Sequence, residues 1–286
     1  MQTGQPSQTA FAAAYARAYH QEFEDLRIFT DPLATAIIGE QTEDFFAVAS
    51  HMFGDLPENQ TLRDQAHLMV AARARLAEDT VAAAVENGTT QVVVLGAGLD
   101  TFAYRNPFPG LQVFEVDHPD TQAWKRERLA AADIAVPETL TFSPVDFETG
   151  TLADGLAAAG FRRDEPAVFV WLGVVMYLTL ESIRATLRFI IEQPGPTSVV
   201  IDYLGPLSSV AAEHREAMAA SAELIAGIGE PVLSYFTPEE IDAELRVAGF
   251  DKVENFNPPA LIAEYLDRPS DDTNSMGAGF VRATHL

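Results

Sequence analysis

Residues 91–105, Gln-Val-Val-Val-Leu-Gly-Ala-Gly-Leu-Asp-Thr-Phe-Ala-Tyr-Arg, constrain this chain more than any other stretch. Val92, Val93, Val94 and Leu95 form the unbroken apolar run of a strand buried on both faces. The run stops at Gly96-Ala97-Gly98, and a helix is expected over 99–105. Roughly twenty residues further on, a second apolar run, Val113-Phe-Glu-Val, ends in Asp117. Together these make a nucleoside-binding βαβ unit. Glycines let the backbone approach a ligand closely, and an acid at the tip of the neighbouring strand accepts both ribose hydroxyls.

The nucleoside does not read as a dinucleotide. Where that fingerprint wants a small residue for close helix packing this chain has Thr101, and no basic residue lies between Gly96 and Ala103. No Gly-x-x-x-x-Gly-Lys-Ser/Thr loop and no Tyr-x-x-x-Lys pair is present, and the lysines are Lys125 and Lys252 alone. An adenosine cofactor without phosphates fits better, and S-adenosyl-L-methionine answers that description.

Leu95-Gly-Ala-Gly-Leu-Asp-Thr-Phe-Ala-Tyr-Arg105, Phe114-Glu-Val-Asp-His-Pro119, Pro144-Val-Asp-Phe147 and Trp171-Leu-Gly-Val-Val-Met-Tyr-Leu178 resemble the motif series of the leucine carboxyl methyltransferase family, in its bacterial branch. Asp31-Pro-Leu-Ala34 and Ala71-Ala-Arg-Ala-Arg75 also sit where that family has similar residues, so the resemblance runs from about Phe11 to Arg282. It implies a Rossmann-like class I methyltransferase fold and an S-adenosyl-L-methionine-dependent activity. By this resemblance Asp117 takes the ribose, Asp146 and Phe147 the adenine, and Arg73 the methionine carboxylate. Phe102 and Leu172 are departures, standing where the family often has Arg and Glu.

Composition narrows the class. Of 286 residues, 48% are hydrophobic, enough for one large core. Cys is absent, which excludes disulfides, a thiolate nucleophile and Cys-ligated metal. No apolar run reaches bilayer length and the polar start Met1-Gln-Thr-Gly-Gln-Pro6 does not read as a signal peptide, so a cytoplasmic location without membrane contact is expected. A net charge of −24 disfavours nucleic-acid partners and otherwise reads as solubility. The partner expected is a small-molecule or peptide methyl acceptor; a homodimer is compatible with the chain, and no metal is expected.

Residues 1–88 read as a helical cap and 89–286 as the cofactor-binding domain, with a helical insertion near 205–236. Helices are expected over 9–22, from the Asp31-Pro32 cap to Ile38, over 42–53, and over 62–85. Phe11, Tyr15, Tyr19 and Phe23 form a stripe on one helix face. Core packing explains most of it, while Tyr15 and Tyr19 could place hydroxyls over a substrate. From Gln91 onward, strands at 91–95, 112–116, 140–145, 167–172, 197–203, 252–257 and 278–284 alternate with helices near 119–132, 150–159, 179–192 and 237–248, and a helix over 205–230 lies in the insertion. That is a seven-stranded, mostly parallel sheet covered on both faces.

Several residues have two readings. Asp117 could cap a helix instead, since Pro119 follows. Asp146 could form an Asx turn. Arg73 could be a surface charge, with Arg75 as a rival for the carboxylate. Asp100 could meet an ammonium or cap a helix; His118 reads as an orienting or packing residue, and Glu115 as structural on the opposite strand face. Tyr177 and Tyr203 fall at the carboxyl edge of the sheet, where ligands bind.

A sulfonium methyl is already electrophilic, so positioning supplies most of the catalysis and no catalytic residue is certain. Among His20, His51, His67, His118, His214 and His285 no His–acid pair stands out, which leans the acceptor toward a carboxylate or acidic phenol. An NAD-dependent oxidoreductase and a catalytically silent cofactor-binding protein are the alternatives to an O-methyltransferase.

Overall fold

The computed structural model describes residues 7–24, 27–39, 60–146, 150–270 and 277–286, with the side chains of 60–64 excepted. The sheet is built from β1 (Gln91–Leu95), β2 (Gln112–Asp117), β3 (Leu140–Pro144), β4 (Ala167–Trp171), β5 (Thr197–Leu204), β6 (Lys252–Phe256) and β7 (Ala278–His285). Strand order is β3-β2-β1-β4-β5-β7-β6, with β7 antiparallel to both neighbours and the other pairings parallel. Val93 pairs with Phe114 on one side and Phe169 on the other, so the glycine turn after β1 opens at the middle of the sheet. The strand order reverses there, which opens a crevice at the carboxyl edge. The seven expected strands agree to within a residue or two at each end, and the architecture is the Rossmann-like one of class I methyltransferases.

Ten α-helices are described: α1 (Gln8–Glu22), α2 (Ala34–Ile38), α3 (Gln60–Glu86), α4 (Phe102–Arg105), α5 (Pro119–Ala131), α6 (Leu152–Ala158), α7 (Leu180–Ile191), α8 (Arg215–Gly227), α9 (Pro238–Ala248) and α10 (Pro258–Tyr265). α9 starts as its sequence requires. Thr237 and Glu240 form a reciprocal capping box, and Gly249 closes the helix in a left-handed conformation at φ 117°. α10 was not expected; it lacks polar–apolar contrast because Pro258, Leu261, Ile262 and Ala263 are all buried. The helix expected over 42–53 lies outside the described residues. Among those described, no helix is long and apolar enough to cross a membrane.

Three expectations change. The helix after the glycines begins at Phe102 rather than 99, because Gly96 (φ 64°) and Gly98 (φ 44°) hold the chain in a turn that Asp100 extends. The insertion is two 3-10 turns, Leu207–Ser209 and Ala212–His214, leading into α8. Asp31 does not open α2, whose first residue is Ala34. Instead it is fully buried and holds two arginines.

The boundary expected at residue 88 does not separate two layers. Ala71, Ala72, Leu76, Ala77 and Val81 of α3 pack on Val92, Val94, Val168, Val170 and Val200 of the sheet in one apolar cluster. α3 is therefore a face of the sheet domain. α1 and α2 form a second cluster, Phe11, Ala12, Ala14, Ala18, Ala34, Ile37 and Ile38, closed by Leu99 and Leu129. Burial at this density makes α1 part of the core, with only its first turns facing the crevice.

Candidate active site

A cavity of about 890 Å³ opens at the carboxyl edge of β1, β4 and β5 and is covered by the start of α1 and by the segment from Leu207 to Tyr235. Its size falls within the range of small-molecule sites. Gly96, Ala97, Gly98, Asp100, Asp117, Leu172, Arg73, Tyr177 and Tyr203 all line it.

The glycine turn has no room for side chains. A Cβ on Gly96 would stand 2.3 Å from Val174 Cγ2, and one on Gly98 would stand 2.8 Å from Ala10 Cβ. Asp117 ends β2 with Oδ2 accepting from the Gly98 N–H at 2.5 Å and Oδ1 accepting from the His118 N–H at 2.7 Å. Burial pushes this carboxyl above its ordinary range, and those two N–H groups pull it back. The helix-cap reading goes to His118, whose Nδ1 accepts from the Asp120 N–H at the start of α5. His118 does not line the cavity. Asp100 Oδ1 accepts from the Phe102 N–H at 2.8 Å, so it both caps α4 and faces the cavity.

Arg73 and Arg75 separate cleanly. Arg73 pairs with Asp202 and lies over the turn at Gly173 (φ 72°), where an added Cβ would be 3.2 Å from Nη2. Arg75 stacks on Tyr265 at 3.9 Å and donates to the Ile28 carbonyl, outside the cavity wall. Asp202 was missed by the sequence reading. It is 5% exposed, and its Oδ1 also accepts from the Gly173 N–H at 2.5 Å. The signal was present: Val199-Val-Ile-Asp202 is an apolar strand ending in an acid, as in the run before Asp117.

Other expected residues stand elsewhere. Tyr15 and Tyr19 turn away from the cavity onto the buried His67, with the Tyr19 and His67 rings 4.2 Å apart. The face of α1 toward the cavity carries Ala10, Ala13 and Arg17. Tyr203 directs its hydroxyl at Asn255 on β6, and burial pushes its phenol up to about 12. Tyr177 lies near Arg73 and Asp202, and its phenol is raised by burial and by the Glu230 carboxylate. Asp146 sits beyond β3, outside the cavity wall, with its carbonyl accepting from the Gly150 N–H; Phe147 lies outside the described residues. Glu115, expected on the opposite strand face, shares a face with Asp117 because side chains alternate with period two. It is fully buried against Lys125 Nζ at 2.7 Å, and burial raises its carboxyl to about 7.

A buried network supports the glycine turn from behind. Asp31 accepts from Arg17 Nε at 3.0 Å and from the Thr101 hydroxyl at 2.7 Å, and Arg105 Nε lies 3.3 Å away. Arg17 also donates to the Leu99 carbonyl at 2.7 Å, and Arg105 pairs with Glu78. Arg17, Arg105 and Thr101 hold the Asp31 carboxyl below its ordinary range against the opposing effect of burial. Phe102 and Leu172, the two departures from the family pattern, line one small adjoining cavity together.

A profile of the leucine carboxyl methyltransferase family matches residues 10–191. The chain belongs to that family. A relative in Bacillus subtilis (strain 168), YktD, provisionally named an S-adenosyl-L-methionine-dependent methyltransferase, is 32% identical over 296 residues, covering 96% of each chain. A relative of the same provisional name in Mycolicibacterium gilvum (strain PYR-GCK) is 29% identical over 94% of this chain and 90% of its own. The fold is shared with a crystal structure from Thermobifida fusca YX provisionally named a methyltransferase, at a TM-score of 0.63 and 17% identity over 98% of this chain and 95% of that one. A duf574 family protein from Streptomyces avermitilis superposes with a TM-score of 0.54 at 18% identity, over 95% and 97% of the two chains. Membership in this family makes the chain a methyltransferase dependent on S-adenosyl-L-methionine.

Proposed function

We propose that this family member is an O-methyltransferase that carries the methyl group of S-adenosyl-L-methionine to a small molecule or peptide. The observation that carries the reading is the charge and shape of the cavity. Four acids, Asp100, Asp117, Asp202 and Glu230, line it against two arginines, Arg17 and Arg73, both already paired. Such a wall suits a ligand with a sulfonium and an ammonium and repels a pyrophosphate, which disfavours the NAD reading.

The residues present fit the cofactor. Gly96 and Gly98 leave the backbone bare for close approach, and Asp117 offers its remaining lone pairs to a ribose diol. Arg73 can grip a carboxylate and Asp202 or Asp100 an ammonium, while Asp146, which the family resemblance implies for the adenine, stands beyond β3 outside the cavity wall. When bound, the cofactor supplies a methyl group activated by its positive sulfur. The chain's own part is to hold the acceptor in line and to exclude water.

S-adenosylhomocysteine should raise the melting temperature, by an amount equivalent to about 2.7 kcal/mol at a hundred times its Kd, while NAD and ATP should not. An equal shift with NAD would return the site to the oxidoreductases. Turnover of labelled methyl into any acceptor separates an enzyme from a silent binder.

A further inference from the structure

The outer half of the cavity differs from the cofactor half in its polar groups, and those groups select the acceptor. Leu207, Leu233 and Tyr235 line it while remaining 45%, 53% and 44% exposed, an apolar rim at the mouth. Glu230 crosses the opening to the start of α1. Its carboxylate accepts from the Gln8 N–H at 3.1 Å, the Thr9 N–H at 3.3 Å, the Ser7 hydroxyl at 3.2 Å and the Thr9 hydroxyl at 2.5 Å. Thr9 and Tyr177 line the cavity together with Glu230. Tyr177 and the hydrogen-bonded pair Thr9–Glu230 therefore share the wall that leads from the Arg73–Asp202 pair to the mouth.

Among the described residues, none in this half offers an anion an unpaired counter-charge. Among the described residues the cavity's cations are Arg17, held by Asp31 and the Leu99 carbonyl, and Arg73, held by Asp202. No described histidine lines the cavity. Outside the described side chains the sequence holds only Arg63 and His51 as basic residues. A carboxylate entering here would lose its hydration, find no free guanidinium among the described residues and face Glu230.

We propose that the acceptor is an uncharged, largely apolar molecule that presents a hydroxyl to Tyr177 and Thr9, and that Glu230 both excludes anionic acceptors and receives the hydroxyl proton. This rests on the methyltransferase reading above. The acceptor oxygen forms the new C–O bond with a lone pair as the methyl–sulfur bond breaks, and that bonding pair stays on sulfur. The acceptor proton passes to Thr9 Oγ1 while the proton of Thr9 passes to Glu230 Oε2, so the product is a neutral ether. The Ser7 hydroxyl contact on Glu230 can rotate aside, whereas the Thr9 hydroxyl and the two backbone N–H contacts keep the carboxylate in place.

The test is calorimetry on the full chain saturated with S-adenosylhomocysteine, using matched probes at neutral pH: 2-naphthol against 2-naphthoate, and 4-octylphenol against 4-octylbenzoate. The phenols should bind at least about tenfold more tightly than the carboxylates, the scale of a like-charge penalty. Glu230→Gln should bring each pair to within about threefold, because it removes the charge and keeps the shape. Thr9→Val, a second variant, should weaken the phenols about fivefold and leave the carboxylates unchanged, as expected for one lost hydrogen bond. Carboxylates binding equally or better, a preference unmoved by Glu230→Gln, or no binding by either series would each overturn the proposal. Failure of S-adenosylhomocysteine itself to bind would sink the methyltransferase reading, and the proposal with it.

Discussion

The two halves of the cavity are built in opposite ways. The half proposed for the cofactor is made of residues at or near the carboxyl ends of strands: Gly96 and Gly98 after β1, Asp117 at the end of β2, Gly173 just past β4, and Asp202 two residues before the end of β5. Each is placed by a buried strand that the sheet register holds on both sides. The outer half is made of pieces far apart in the chain, with Thr9 and Glu230 separated by 221 residues and joined only through space. Rigid strand ends suit a fixed cofactor, and helices and turns suit the selection of an acceptor. The boundary between the halves runs through Tyr177, whose phenol feels Arg73 and Asp202 on one side and Glu230 on the other.

Breaking the support shared by both halves should have the largest effect. Asp31→Ala leaves Arg17 and Arg105 buried without their carboxylate, and should cost about 3–5 kcal/mol in urea unfolding. The same logic reverses the view of α1 as a detachable cap: deletion of residues 1–22 removes Phe11 and Arg17 and should unfold the sheet domain. A truncated chain with a native melting curve would restore the cap. The Asp31 contribution also has a pH signature. Its folded pKa is depressed, so the stability it gives is complete above the ordinary Asp value of about 3.9 and is lost as pH falls through the lower folded value. The stability difference between wild type and Asp31→Asn should stay flat from neutrality down to about pH 5 and close only in stronger acid.

Next in size is the cofactor half alone. Asp117→Ala should weaken S-adenosylhomocysteine by about 1.5–3 kcal/mol, the scale of lost charged hydrogen bonds, and leave the phenol-over-carboxylate preference intact. Unchanged affinity would remove Asp117 from the site. Gly98→Ala puts a methyl 2.8 Å from Ala10 Cβ at a positive φ, and should cost about 1–2 kcal/mol of stability through strain. Its cofactor affinity should fall as well, because the turn and α1 move apart together. The smallest effect is expected at Phe23, the last member of the aromatic stripe. It is 71% exposed, and Phe23→Ala should change stability by less than about 0.5 kcal/mol. A larger loss would mean that the exposed end of α1 is covered in solution.

The sequence by itself determined the sheet, its strand boundaries and the glycine turn. These depend on short-range rules: apolar runs for buried strands, glycine for positive φ, and acids at strand tips. That Asp117 and Arg73 would stand at one crevice was legible, since a strand end and a family resemblance each specify a place, and both line the cavity. Asp202 follows an apolar run much as Asp117 does and was overlooked, while α10 escaped because the unbroken apolar run from Pro258 to Ala263 carries no polar–apolar period. Only the tertiary structure decided which face of α1 meets the cavity, turning Ala10, Ala13 and Arg17 inward and sending Tyr15 and Tyr19 to His67. It alone made Asp31 the partner of Arg17, Thr101 and Arg105, and brought Glu230 onto Thr9. The physical reason is the range of the interactions. Helical and strand periodicity is set by neighbours a few residues apart, but a buried charge takes its partner from whichever chain segment the packing of the core delivers.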